Sequence, residues 1–416
     1  MSYSPANIFW TDPVDPASGA RLDSLEGNGQ LSGPTIAKAY GIPPATGLGV
    51  KIGIWSDGGG FLQSDLDKSF ADLQQAGLLS RELTPPQIKQ VLAKYRDGVF
   101  DPNDPNGASL ENTMDIFCVA TMVPEASITL YTVGGFGDML ERAIDDGIHI
   151  ITISWATFES FNSPEDIWFE KAAAAKITVL AASGDWGSTI TSTNPALQIC
   201  FPAAHPDVIA VGGTKLILDN NNNRLSESDD NRNPLLPPGW GGGGGVSYVY
   251  PVPSWQLGLH YTKITKDGQS KGIRINLTKR GSPDFSAPMN VYYLYYNGQP
   301  YGVAGTSCSA PIMAGILARY QQLTGVHRSS ADWNKIAYAN PSAFYDITVG
   351  TNNTVISIGY AGTIGWDPVT GLGPPIGTEL YKLVRTGGVF PKQNHGFRPP
   401  TGSVYPRSIP SRAKTL

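Results

Sequence analysis

Gly305-Thr306-Ser307-Cys308-Ser309-Ala310-Pro311 follows Val303 and Ala304 and leads into Ile312, Met313, Ala314, Gly315, Ile316 and Leu317, an apolar run that reads as a buried helix. A serine placed where a Gly-rich turn meets a helix N-terminus has an exposed hydroxyl. Free backbone N–H groups and the positive end of the helix dipole lie beside it. Acyl transfer requires that setting, because the tetrahedral oxyanion forms next to those donors. The same residues are equally compatible with a plain helix start capped by Thr306 or Ser307. A nucleophilic serine needs a base, so its partner decides.

Working outward, strand and helix patterns alternate from about residue 50 to 215. Apolar, β-branched runs at Val50–Trp55, Ile128–Tyr131, Ile148–Trp155, Ile177–Ala182 and Val208–Thr214 are predicted strands, with helices at Met139–Asp146 and Phe169–Ala175 between them. This alternation predicts an α/β fold with a mostly parallel sheet and helices on both faces. Ligands in such sheets sit at the carboxyl ends of the strands, where Asp57, Trp155 and Asp185 fall. Asp57 there is either a catalytic group or the cap of the next helix. Ser109 to Ala120 reads as a helix N-capped by Ser109, and on it Glu111 and Asp115 are four apart, so both carboxyls share one face. A solvated acidic stripe is the plain alternative. Residues 219–245 read as a polar surface loop ending in five glycines, Gly241–Gly245, whose backbone is a candidate edge for a substrate strand. Tyr292–Tyr296 and Gly302-Val303 read as a hairpin that delivers the Ser307 turn.

The chain has 416 residues, a formal charge of −5 and a pI near 5.6, which argues against a nucleic-acid partner. With 48 Gly, 33 Pro and only 16% charged residues, it suits a loop-rich molecule around a tight core. Cys118, Cys200 and Cys308 cannot form a disulfide framework and read as buried free thiols. No window approaches a transmembrane span, and MSYSPANIFWTDP lacks the basic and apolar regions of a signal peptide. Residues 1–33 read as an extended arm, 34–386 as the folded body, and 387–416, basic and Pro-rich, as a tail.

None of the histidines at 149, 205, 260, 327 and 395 opens a helix after a Gly-rich turn, as a Ser-His-Asp hydrolase of the subtilisin type would need. The remaining candidate base is the pair Glu111/Asp115.

Glu111-xxx-Asp115, the Ala-Ser-Gly-Asp185 strand end and Gly-Thr-Ser307-x-Ser-Ala-Pro, in this order, resemble the sedolisins, the serine-carboxyl peptidases on a subtilisin-like fold. Further matches are Ile153-Ser154-Trp155, Phe201-Pro202-Ala203, Val211-Gly212-Gly213-Thr214, Pro253-Ser254-Trp255-Gln256 and Ser282-Pro283-Asp284. Asp346-Ile347-Thr348-x-Gly350 and Gly365-Trp366-Asp367-Pro368-x-Thr370-Gly371-Leu372-Gly373 resemble that family's calcium segment. The resemblance runs from about residue 34 to 386.

It implies a subtilisin-like three-layer fold with a C-terminal calcium-binding loop region, and an endopeptidase acting on protein or peptide substrates. Ser307 would be the nucleophile, Glu111 the general base, Asp115 the residue that holds Glu111, and Asp185 the oxyanion donor. Asp346 and Asp367 would bind one Ca²⁺ through carboxylates, joined by the carbonyls of Ile347, Gly365 and Thr363. A tripeptidyl-aminopeptidase of the same family and a non-catalytic relative are the alternatives. The resemblance also implies an extracellular or acidic compartment and an N-terminal pro-domain, which this sequence does not display. A carboxylate base stays ionised in acid, whereas Asp185 donates only when protonated. Reference values therefore put both demands together at roughly pH 3–5. Relatives with a Glu in the first strand-end loop have Ser56 at that place here.

Overall fold

The central strands alternate faces residue by residue. Ile52, Ile54, Ile150, Leu180, Ala182, Ile209 and Val211 enter one apolar core. Trp55, Ile151, Ile153, Val179, Ala181 and Ala210 enter the other. That period of two, with both faces apolar, is the mark of a sheet covered on both sides. The computed structural model describes residues 4–5, 31–92, 98–104, 106–193, 196–231, 239–264 and 272–386. The expected tail (387–416), His395 and most of the arm lie outside the described residues.

In chain order the strands used below are β1 (Ser4–Pro5), β2 (Lys51–Ser56), β3 (Lys89–Leu92), β4 (Ser127–Thr132), β5 (Ile150–Ile153), β6 (Trp155–Phe158), β7 (Thr178–Ala182), β8 (Cys200–Phe201), β9 (Ile209–Leu218) and β10 (Arg224–Asp229). The helices are α1 (Gly33–Ala39), α2 (Gln63–Gln75), α3 (Ala108–Met122), α4 (Phe136–Asp145), α5 (Asp166–Ala174), α6 (Thr306–Thr324), α7 (Ser330–Ala339) and α8 (Gly377–Arg385). The main sheet has eight strands, ordered β10-β9-β7-β5-β2-β4-β3, with Phe285–Pro288 pairing β9 as well. All these pairs are parallel except β10 with β9. α3 and α6 contribute to the first core, α4 and α5 to the second, which completes three layers. The expected hairpin forms between Tyr292–Tyr296 and Gln299–Val303. No helix of the described residues is long and apolar enough to cross a membrane.

Three expectations need correction. The predicted strand at 148–155 breaks at Ser154 into β5 and β6, because that residue turns its side chain into the site described below. The polar stretch 219–245 is not one loop: Asp219 Oδ1 accepts the N–H groups of Asn221 and Asn223, closing a turn that leads into β10. The glycines 241–245 are buried, not on the surface. Without side chains, their backbone lies against the loop after β7, where a Cβ on Gly243 would meet the Ser183 carbonyl at 2.3 Å. The N–H groups of Gly241, Gly243 and Gly244 donate to the carbonyls of Asp185, Gly184 and Gly187, so they are committed to that loop and not offered to a substrate strand.

Candidate active site

Three loops meet at the carboxyl ends of β5 and β7, and two helices bring side chains to them. α6 starts at Thr306 with Gly305 as its N-cap residue, so Ser307 lies in the first turn rather than at the cap. Gly305 has φ of 123°, in a region that disfavours side chains, and a Cβ there would approach Asp185 Oδ2 to 2.9 Å. Glycine is therefore required for Ser307 and Asp185 to sit together.

α3 delivers the carboxyl pair. Its N-cap is Gly107, in the left-handed region, and Asp104 accepts the Ala108 N–H; Ser109 is inside the helix and its Oγ instead accepts the N–H groups of Gly60 and Asp101. Every residue of α3 is buried, so Glu111 and Asp115 are not a solvated stripe. Polar groups are tolerated there only with partners nearby. Asp115 Oδ1 accepts the Ser154 hydroxyl at 2.7 Å. Burial pushes Glu111 well above its usual range, the Asp115 charge adds to this and Asp185 adds less, while the hydroxyls of Ser307 and Ser154 pull it back. Burial raises Asp115 too, against the Ser154 bond. Two such neighbours share protons as a pair. Neither Glu111 oxygen has a partner within bonding distance among the described residues. The Ser307 hydroxyl, which lowers Glu111, also contacts the Ser154 carbonyl at 3.4 Å.

Asp185 ends the β7 loop. Its Oδ1 accepts the Thr306 N–H at 2.7 Å, and its Oδ2 is buried without a partner among the described residues. Burial raises this carboxyl to about 8, outweighing the Thr306 N–H and hydroxyl that lower it. Below that pH the group is neutral, and Oδ2 can carry the proton as a donor. The Thr306 hydroxyl in turn accepts the Gly184 N–H at 3.2 Å, tying the loop to the helix.

Ser154 was not assigned a role from sequence. Its hydroxyl also reaches the backbone carbonyl of Ser307 at 3.3 Å, so it spans the carboxyl pair and the nucleophile's helix. The only signal was the Ser-Trp pair at a strand end. The N-cap residue of α2 is Leu62 and not Asp57, which lies half-buried between β2 and α2. Ser56, where relatives have Glu, turns its hydroxyl to the Gly58 carbonyl. His149 packs on His327, and His205 on Phe169 and Tyr250, so these rings are engaged with one another and with the core. All three cysteines are buried and free, with Cys308 Sγ 3.3 Å from Met114 Sδ.

The C-terminal loop gathers the expected metal residues. Asp367 is fully buried and accepts N–H groups from Thr363, Val369 and Thr370. Asp346 Oδ2 accepts the Gly365 N–H, and its Oδ1 is buried without a partner among the described residues. Burial raises both acids, Asp367 to about 8 with some help from Asp346, so the two carboxyls neighbour one another. An orphaned oxygen beside a second acid fits a hard cation. No group of three or more His, Cys, Asp or Glu side chains suited to a metal occurs among the described residues. Ligation here would have to draw on backbone carbonyls.

Asn352, in a glycosylation sequon, is buried and donates to the Gly244 and Pro368 carbonyls, so the folded chain does not offer it for modification.

Residues 103–336 match the model of the subtilase family. Kumamolisin of Bacillus sp. (strain MN-32) is 33% identical over 86% of this chain and 66% of its own length. Tripeptidyl-peptidase 1 of Dictyostelium discoideum is 28% identical over 74% of this chain and 53% of its own. The chain thus spans about two thirds or less of the length of these two relatives. The solved structure of Pseudomonas sedolisin, a serine-carboxyl proteinase complexed with two molecules of pseudo-iodotyrostatin, superposes with a TM-score of 0.68, covering 86% of this chain and 99% of that one at 22% identity. With the family model spanning more than half of the chain and kumamolisin 33% identical over most of it, the chain belongs to the sedolisin family, on the subtilisin-like fold of the subtilases.

Proposed function

We propose that the chain is a serine-carboxyl endopeptidase. The observation that carries this is the buried Oδ2 of Asp185 beside the first turn of α6, without a partner among the described residues, on a carboxyl that burial raises to about 8. A neutral acid aimed there supplies what an oxyanion needs.

In this reading Ser307 Oγ attacks the substrate carbonyl and Glu111 takes the hydroxyl proton. Asp115, held by Ser154, shares charge and protons with Glu111 and keeps it in place. The negative charge that develops on the carbonyl oxygen is met by Asp185 Oδ2–H and by the helix start. Collapse returns the proton from Glu111 to the leaving amine and leaves an ester on Ser307. Water, deprotonated by Glu111, then releases the acid product and restores the serine. The Ser307 hydroxyl lies close enough to Glu111 to lower that carboxyl, as a proton transfer between them requires.

Both edges of the working pH range are set by carboxyls. At the low edge the Glu111/Asp115 pair takes up a second proton. At the high edge Asp185 loses its proton, no higher than about 8. Opening the cleft to water weakens the burial effect and moves these values back toward the acid range, so we place the activity on the acid side of neutrality. Asp346 and Asp367, with the carbonyls of Ile347, Thr363 and Gly365, would hold one Ca²⁺, which would neutralise the two acids and brace the loop. Endoproteolysis and tripeptidyl release differ in products. Only a ladder of tripeptides from the substrate's N-terminus would favour the second.

The test is hydrolysis of an unfolded protein from pH 2.5 to 8 by the wild type and Ser307→Ala. A bell-shaped profile abolished in the variant supports the reading. A well-folded wild type without activity at any pH would instead mark a non-catalytic relative.

A further inference from the structure

α3 and α6 pack side by side, and their contacts can be followed along both helices. Near the start of α6 the Cys308 thiol donates to Met114 Sδ at 3.3 Å. About two turns further on, a Cβ at Gly315 would come within 2.5 Å of the Met122 side chain, so the helices are in close contact there as well. Met114, Cys118 and Met122 follow one another at intervals of four and share one face of α3. Cys118 therefore lies on the strip that faces α6, between these two contacts. Burial holds the Cys308 thiol well above its usual range. The hydrogen bond and charge of Cys118 come next, ahead of the charges of Glu111 and Asp115, so Cys118 is the nearest of these groups in effect.

Nothing in the peptidase reading uses this sulfur group. Met114, Cys118 and Cys308 have no exposed surface, and the two cysteines are not joined in a disulfide. A buried thiol among hydrocarbons serves as a small apolar residue, as Cys200 does beside Ala156 and Ile190. Two thiols and a thioether brought together from two helices offer a different chemistry. Thiolate and thioether are soft ligands, and that donor set selects Cu(I) while leaving hard cations to oxygen ligands.

We propose that Met114, Cys118 and Cys308 form a site for one soft monovalent metal ion of the Cu(I) class, held between α3 and α6. The ion displaces the two thiol protons to solvent and takes a lone pair from each of the three sulfurs; no electron is transferred. Bound there, it ties the helix that carries Ser307 to the one that carries Glu111 and Asp115. The site stands on the packing of the two helices and is independent of the peptidase reading.

The test uses the full chain, reduced and stripped of metals. It is equilibrated with silver nitrate in chloride-free buffer, and separately with Cu(I) under anaerobic conditions against a colorimetric chelator. Equilibration has to be slow, because α3 has no solvent-facing side through which an ion could enter directly. We expect one ion per chain, a higher melting temperature with the ion bound, and a metal-edge X-ray absorption spectrum with sulfur as the ligand. Cys118→Ala and Cys308→Ala should each weaken binding at least ~10-fold, since even groups that only support a ligand matter that much. Met114→Leu should weaken it too, and Cys200→Ala should leave it unchanged. An ion held equally well by Cys118→Ala and Cys308→Ala, or no ion retained by the wild type, would overturn the proposal. Should the cysteine variants fold poorly, the spectrum of the Cys200→Ala form decides: sulfur ligands support the site, nitrogen or oxygen ligands refute it. Peptide hydrolysis is not among these readouts, so an inactive chain would refute the peptidase reading and leave this result intact.

Discussion

The Oδ1 of Asp185 accepts the backbone N–H of Thr306 at 2.7 Å, so the proposed oxyanion donor is fastened to the first residue of the helix that carries Ser307. One bond fixes which oxygen of Asp185 is an acceptor and leaves the other for the proposed oxyanion. Four consequences concern that site and one the metal loop.

Asp185→Asn keeps a donor at the site but removes its ionisation. Turnover should fall modestly, while the alkaline limb of the pH profile disappears, read from kcat/KM between pH 5 and 9. Stability should respond as well. The folded carboxyl titrates near 8 against a usual value near 4, so wild-type stability drops as pH rises between those values, by on the order of 5 kcal/mol at most. Melting temperatures of the variant should lack this share of the decline.

Glu111→Gln removes the base and keeps the shape. We expect kcat to fall at least ~10³-fold at every pH. The raised Glu111 value means that ionisation favours the unfolded chain above the usual carboxylate range. The variant should therefore melt no lower than wild type at pH 7, a combination that a merely structural residue would not give.

Ser154→Ala deprives Asp115 of its 2.7 Å bond and the Ser307 carbonyl of its contact. Since the Ser154 hydroxyl lowers both carboxyls, its loss should move the acid limb upward in pH. An unpaired buried carboxyl oxygen also costs roughly 1–3 kcal/mol, visible in denaturant midpoints. An unchanged acid limb would show that Ser154 is structural only.

Gly243→Ala places a methyl group 2.3 Å from the Ser183 carbonyl. Backbone cannot give way cheaply, so we expect a loss of about 1–3 kcal/mol together with reduced kcat, because the displaced loop carries Asp185. Denaturant unfolding and steady-state kinetics on one preparation check both.

Chelation with EDTA should lower the melting temperature, and added Ca²⁺ should restore it. Asp367→Asn should weaken this response. A melting temperature indifferent to both reagents would remove calcium from the reading.

Much of the sheet was legible because buried parallel strands are continuous β-branched runs, as in Ile148–Ile153 and Ile177–Ala182. The pair Glu111 and Asp115 was legible through helical spacing, since four residues return to one face. Its burial was not, because a like-charged pair alone looks solvated. Gly241–Gly245 misled for a related reason: beside Asn and Asp, glycines resemble a surface loop. Their use here, passing backbone against backbone, depends on a segment some sixty residues earlier. Ser154 escaped notice because its importance arises only where β5, α3 and α6 converge.

α3 is buried along its full length, with Glu111 and Asp115 in its middle. A helix with no solvent-facing side opens only when its surroundings do, so it belongs to the most cooperative unit of the fold. The proposed base cannot drift from the serine through local fraying. On heating, activity and tertiary structure should vanish together, and no partly melted, half-active species should accumulate. For a proteolytic enzyme that also protects α3 from self-digestion, since the only form able to cut is one in which this helix is closed in.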